Sequence, residues 1–227
     1  MALQNRVSPF GDLIATPARG TLLGNRGGRI HNDQRKLTAR RWTSKQWICC
    51  QLDFNNRRRK VWGDGYTELF FLDEVTALAA GHRPCFECRR KDAEHFAALF
   101  SANATNSAHS RASGNPGLGP RLRGNERSGV QRASAKAMDE ILHAERLDGK
   151  VKRTHRQKID TLPDGAMIVR ESEAFAVRGN SLLHWTAAGY NRRLARPRGI
   201  DAQALTPPAI LTVLARGYTP LWDQTAG

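Results

Sequence analysis

The sequence predicts an α+β protein built from two small units joined by a basic flexible linker. Strand-forming runs cluster at 47–72 and 166–186, and short helical runs lie beside both clusters. Between them, residues 101–135 are mostly Ser, Ala, Asn, Gly and Arg, with Pro116 and Pro120 and almost no large apolar side chain. Such a segment cannot bury enough surface to offset its ordering entropy. The expected organisation is therefore an N-terminal unit over 1–100, a linker over 101–135 and a C-terminal α+β meander unit over 136–227.

The first thirty residues read as turns, at Ser8-Pro9, Phe10-Gly11 and Asn25-Arg26-Gly27-Gly28. Trp47 to Phe54 is rich in strand formers, Asn55-Asn56 is a turn dipeptide, and Arg57 to Trp62 can return antiparallel as a hairpin. Alternation places Ile48, Cys50, Leu52 and Phe54 on one face and Trp47, Cys49, Gln51 and Asp53 on the other. The first set is the more apolar, so it is expected to face the core. A third strand is expected over Tyr66–Leu72. Asp73 then suits an N-cap for a short helix through Ala77, Leu78 and Ala80, stopped by Gly81. Ala93, Phe96, Ala97 and Phe100 recur at i, i+3, i+4 and i+7, one buried stripe of a second helix.

In the C-terminal part, Ala137–Leu147 is helical in composition. Ala166–Val169, Glu173–Arg178 and Ser181–Thr186 read as strands, the last two joined at Gly179-Asn180. Thr206-Pro207 suits an N-cap and N1 pair for a final helix reaching Gly217.

Thirty-six Lys and Arg against 21 Asp and Glu give a formal net charge of +15, which points to a polyanionic partner. Arg57, Arg58, Arg59, Lys60, Arg89 and Arg90 are the expected phosphate contacts, with Trp47, Trp62 and Tyr66 as candidate stacking residues. No apolar run has the length of a membrane span, and the N-terminus carries no signal-peptide core. Four cysteines, two adjacent and two in a C-x-x-C, do not form a secreted disulfide pattern, so a cytoplasmic protein is expected.

Cys85-Phe86-Glu87-Cys88 can point two thiolates at one ion. Zinc then needs two more protein ligands to be closed, or one more with an open position. A redox role for this pair would need a thioredoxin-like frame, which the preceding hairpin does not supply. The further ligands must come from Cys50, Cys49 or a histidine, with His82 and His31 as alternatives. Adjacent strand residues face opposite ways, which favours one of the two cysteines, and Cys50 is preferred because it shares the expected core face.

The stretch ELFFLDEVTALAAGHRPCFECRR, residues 68–90, resembles the second half of the Ada-type zinc-binding module: an aromatic strand end, a short Ala-rich helix, then Arg-Pro-Cys-x-x-Cys and basic residues. The resemblance implies a small zinc domain with four cysteine ligands that binds DNA rather than RNA, with a link to DNA repair or modification. Cys85 and Cys88 carry over. The family's spaced upstream pair is here the adjacent Cys49-Cys50, and His82 stands where an aromatic is usual. The family's methyl-acceptor role belongs to that upstream pair and does not transfer.

Two other functions fit parts of the sequence. Pro84-Cys85-x-x-Cys88 is also the cysteine half of a zinc deaminase signature, whose H-x-E half is met by His143-Ala144-Glu145. Cys85, Cys88 and His143 would then hold zinc with a water, and Glu145 would be the catalytic proton shuttle. The chain order of the two halves is reversed relative to that family. The remaining alternative is an adaptor whose C-terminal unit docks a protein partner.

Overall fold

The computed structural model describes residues 2–56, 60–108 and 132–227, the side chains of 101–108 excepted. At its centre lies the short helix α1 (Glu74–Ala79), all six residues of which are buried. A helix closed in on every side must be packed by elements from more than one direction, and α1 is packed by both halves of the chain. Its ends are well determined. The Asp73 carboxylate accepts from Thr76 N at 2.8 Å. Gly81, at φ +87°, donates to Leu78 O, and His82 N donates to Ala77 O. Those two bonds form a Schellman stop.

A six-stranded sheet covers one side of α1. Its strands are β1 (Arg6–Val7), β2 (Leu13–Ile14), β3 (Leu22–Arg26), β4 (Trp47–Gln51), β5 (Leu69–Phe71) and β6 (Arg83–Pro84). They run in the order β2-β1-β5-β3-β4-β6, with β1·β5 and β4·β6 parallel. Pro84 fits because β6 is an edge strand. The first thirty residues therefore supply three strands where turns were expected. Gly24 and Asn25 look like turn formers, yet β3 pairs on both sides, and a Cβ at Gly24 would lie 2.6 Å from the Phe71 ring. The expected hairpin return is also corrected. Lys60–Trp62 forms no strand, Arg57–Arg59 lie outside the described residues, and the neighbours of β4 are β3 and β6.

After α1, helix α2 (Arg90–Ala108) and helix α3 (Ala135–Arg146) flank the undescribed residues 109–131, which hold most of the expected linker. A small hairpin follows, β7 (Leu147–Asp148) with β8 (Val151–Lys152). A second six-stranded sheet contains β9 (His155–Lys158), β10 (Met167–Arg170), β11 (Glu173–Arg178), β12 (Ser181–Thr186), β13 (Gly189–Ala195) and β14 (Asp201–Ala204). Its order is β13-β12-β11-β10-β14-β9, antiparallel throughout. Helix α4 (Pro208–Ala215) is the last α-helix, and a 3-10 turn follows at Gln224–Ala226. Pro207, not Thr206, stands at its N-cap, and the Thr206 hydroxyl accepts from Met167 N instead.

The hydrophobic clusters join the halves that were expected to be separate units. Leu78, Phe96 and Phe100 pack with Met138, Leu142, Ile210 and Val213. Leu72, Val75 and Ala79 pack with Met167, Leu183 and Leu205 beneath the second sheet. On the first sheet, Val7, Leu22, Cys49, Leu69 and Phe71 meet Ala77 and Ala80. Alternate positions of α1 thus serve three cores.

Trp47 sits behind the first sheet between two guanidiniums, Arg26 and Arg146, each 3.9 Å from its ring centroid. Arg26 donates to Gly11 O, and Arg146 donates to Gly81 O and Lys45 O. The Lys152 ammonium reaches Ala79 O in the same region. Burial first, and then Arg146 and Arg26, push the Lys152 ammonium down to about 7. Because this folded value lies below that of an ordinary lysine, the unfolded chain holds the extra proton between about pH 7 and pH 10. Stability from this group is therefore lost below that window and gained as pH rises through it. Lys152→Met should melt higher than the parent protein at pH 6, with the difference shrinking toward pH 10, as read by thermal denaturation across pH. An unchanged difference across the range would show that Lys152 is not charged at a cost.

Candidate metal centre

The parallel pairing of β4 with β6 builds the site. Cys49 lies opposite Pro84, and Cys85 N donates to Cys49 O at 3.0 Å, so the turn that follows β6 starts beside Cys50. Glu87 N donates to the Cys85 sulfur at 3.4 Å, and Arg89 N donates to Cys85 O, which folds the C-x-x-C back before α2. The result is a group of three thiols. The Sγ atoms of Cys50, Cys85 and Cys88 all lie within 4.8 Å of one another, close enough to hold a metal ion. Tetrahedral zinc at about 2.3 Å from each sulfur would place the sulfurs about 3.8 Å apart, so small side-chain adjustments suffice. Hydrogen bonds from Cys50 and then Cys88 hold the Cys85 thiol far below its ordinary range. The same contacts push the Cys50 and Cys88 thiols up, so in the absence of metal the charge of the group resides on Cys85. A divalent ion would take all three sulfurs as donors by displacing the remaining thiol protons.

Cys49 points to the other face of the sheet. It is fully buried in the α1 core, where burial pushes its thiol up and Arg89 Nη1 donates to its sulfur at 3.7 Å. Cys50 lies beside Cys85 and Cys88, but not because it shares the core face. The core face of β4 carries Trp47 and Cys49, whereas Ile48, Cys50 and Leu52 belong to the opposite face, and Leu52 is half exposed. That second face is the wall of a cavity.

Two buried arginine pairs hold the cysteine turn. Before it, Arg83 donates from Nε and Nη2 to the two carboxylate oxygens of Asp139 on α3, both at 2.8 Å. After it, Arg89 grips Glu74 on α1 through two contacts of 2.8 Å and also reaches Asp92. Glu74 in turn accepts from the Tyr218 hydroxyl at 2.7 Å and from Leu221 N at 2.9 Å. Arg89 was expected to meet phosphate. Its side chain is only 1% exposed and belongs to this core network, because Arg89 precedes α2 and turns in toward Glu74, whereas the next residue opens the helix on its solvent side. Arg90 is exposed and lies 3.5 Å from Glu94, and Lys60 is exposed. Arg57, Arg58 and Arg59 lie outside the described residues.

The histidines expected as alternative ligands are used elsewhere. His31 stacks on Trp62 with 5.2 Å between ring centroids. Its Nε2–H donates to Gly63 O, and its Nδ1 accepts from the Thr67 hydroxyl. His82 is fully buried between Trp47 and Phe71, and burial with Arg26 and Arg146 nearby keeps its ring neutral. His143 accepts from Arg146 and lies edge-on to Trp42. Glu145, expected as a proton shuttle, accepts from Ala209 N at 2.8 Å and so caps α4. Among the described residues the three cysteines form the one group of this kind, and neither His143 nor Glu145 belongs to it. Trp47 and Trp62 are buried at 2% and 3% exposure, which leaves Tyr66 as the candidate stacking residue that reaches a cavity.

That cavity has a volume of about 270 Å³ and is lined by all three cysteines. Phe54, Tyr66 and Phe70 form aromatic walls, and Glu68 and Glu87 add carboxylates. Sequence reasoning missed it, since its residues come from β3, β4, β5, the loop after β4 and the cysteine turn after β6.

Compared with known families, curated proteins and solved structures, the chain shows no match. The likeness to the Ada-type module therefore rests on residues 68–90 alone.

Two outcomes test the geometry. Cys50→Ser, Cys85→Ser and Cys88→Ser should each abolish stoichiometric metal uptake, whereas Cys49→Ala keeps it, as read by elemental analysis of the folded proteins. Glu74→Gln should cost up to about 3–5 kcal/mol in urea unfolding, because the buried Arg89 would keep only the half-exposed Asp92 as a counter-charge. A loss below about 1 kcal/mol would show the pair to be solvent-compensated.

Proposed function

We propose that this chain is a zinc-binding protein that associates with nucleic acid, DNA before RNA. The observation that carries the metal half is the convergence of Cys50, Cys85 and Cys88, a soft thiolate set suited to zinc. Support for the nucleic-acid half is the net charge of +15, spread along the chain rather than held in one run. Arg90 and Lys60 are the expected phosphate contacts that reach solvent beside the cysteine unit. No helix among the described residues is long and apolar enough to cross a membrane. Zinc adds to a turn already held by Arg83–Asp139 and Arg89–Glu74, so it contributes stability to a frame that the protein's own pairs define.

The test combines three readouts on one preparation. Elemental analysis should find one zinc per chain, and chelation should lower the melting temperature by removing a ligand bound only by the folded state. Binding to a short duplex should weaken steeply as salt is raised, with log affinity linear in log salt. A metal-free protein with an unchanged melting curve in chelator removes the metal half, and salt-insensitive or absent duplex binding removes the other.

A further inference from the structure

We infer that the metal position has three protein ligands and a fourth place filled from solution, and that the cavity beside it takes an uncharged, planar nitrogen heteroaromatic ring of the nucleobase class. This rests on the metal half of the reading above and extends it to the ligand.

The open place follows from strand geometry. Cys49 is the remaining cysteine, and as the neighbour of Cys50 in β4 it projects to the opposite face, into the core with Val7 and Phe71. Recruiting it would mean breaking the strand and its contact with Arg89. No histidine, acid or further cysteine among the described residues joins the three sulfurs. Structural zinc sites are closed by four protein ligands, whereas three ligands with an open position characterise sites that exchange a ligand. The open side is not buried in protein, because all three cysteines line the same cavity.

The cavity's chemistry selects the ligand. Three thiolates around a divalent ion leave one negative charge, and Glu68 and Glu87 border the same space. An anion entering there would meet like charge on several sides. Phe54, Tyr66 and Phe70 offer π-faces for a flat ring, and Asn25 and Gln51 bring amides that can both donate and accept at its edge. A neutral ring with one nitrogen lone pair satisfies the metal, the aromatic walls and the amides together. In a chain of net charge +15, this acidic, aromatic cavity fits a base rather than the phosphates of the same polymer.

Cobalt exchange tests it. The zinc is removed by chelation, cobalt(II) is loaded into the full chain, and visible absorption is followed while imidazole, cytosine and inorganic phosphate are titrated separately. The starting spectrum should show thiolate charge-transfer bands for three sulfurs. Imidazole and cytosine should shift the ligand-field bands saturably, and phosphate should not. Phe70→Ala should leave the starting spectrum intact and weaken cytosine by about 5- to 150-fold, the loss expected of one stacking contact. If that variant alters the starting spectrum, Phe54→Ala replaces it. A four-thiolate spectrum at the outset, no response to either ring, or an equal response to phosphate overturns the inference and leaves zinc binding standing. Absence of any cobalt–thiolate band overturns the metal reading itself.

Discussion

The fold around the metal position depends on one constraint: a four-residue cysteine turn clamped on both sides by buried arginine–carboxylate pairs. Arg83–Asp139 ties the strand entering the turn to α3, and Arg89–Glu74 ties the helix leaving it to α1 and, through Tyr218 and Leu221, to the C-terminal segment. Pairs of this kind seldom add net stability over a well-packed apolar alternative, but removing one partner is costly. Their effect is to specify geometry. Each acid lies at least fifteen residues from its arginine, so neither pair can form until the surrounding helices are in place. The two sulfurs of the turn are thereby presented to a fixed point on β4.

What they meet there is decided by the period of a strand. Cys49 and Cys50 are adjacent, so one must face α1 and the other the cavity. The same alternation gives the sheet two chemistries. One face is the apolar floor under α1, with Val7, Leu22, Leu69 and Phe71. The other carries Leu23, Ile48, Cys50 and Phe70 into a space that also holds the thiolate turn. A metal ion bound there would sit at the boundary between a packed core and an accessible cavity, with one side facing that cavity.

Several parts of this arrangement were legible in the sequence because they rest on local rules. Asp73 and Gly81 cap α1 by chemistry that acts within four residues, and the Ala93–Phe100 stripe follows from helical period alone. The C-x-x-C pair was legible for the same reason. The face of β4 was not. Ile48, Leu52 and Phe54 look more like core than Trp47 and Cys49, and only α1 packed over Cys49, with Arg26 and Arg146 over Trp47, makes the other face the buried one. Arg89 was misread because a buried guanidinium is intelligible only with Glu74 in view, and Glu145 because the amide it caps is 64 residues away. Strands β9, β13 and β14 carry many charged or polar side chains, and the ladders of β9 and β14 depend on neighbours far along the chain. The shared cores of the two halves were likewise invisible to a reading that advanced one segment at a time.

X-ray absorption at the zinc edge addresses the centre of the scheme most directly, because it counts the sulfurs around the metal without reference to activity or partner. Three sulfurs at about 2.3 Å and one lighter oxygen or nitrogen neighbour at about 2.0 Å are the result expected of Cys50, Cys85 and Cys88 facing an open cavity. A shell of four sulfurs would require Cys49 to leave the α1 core, and a shell with fewer than three would break the cluster apart. Either result contradicts the scheme.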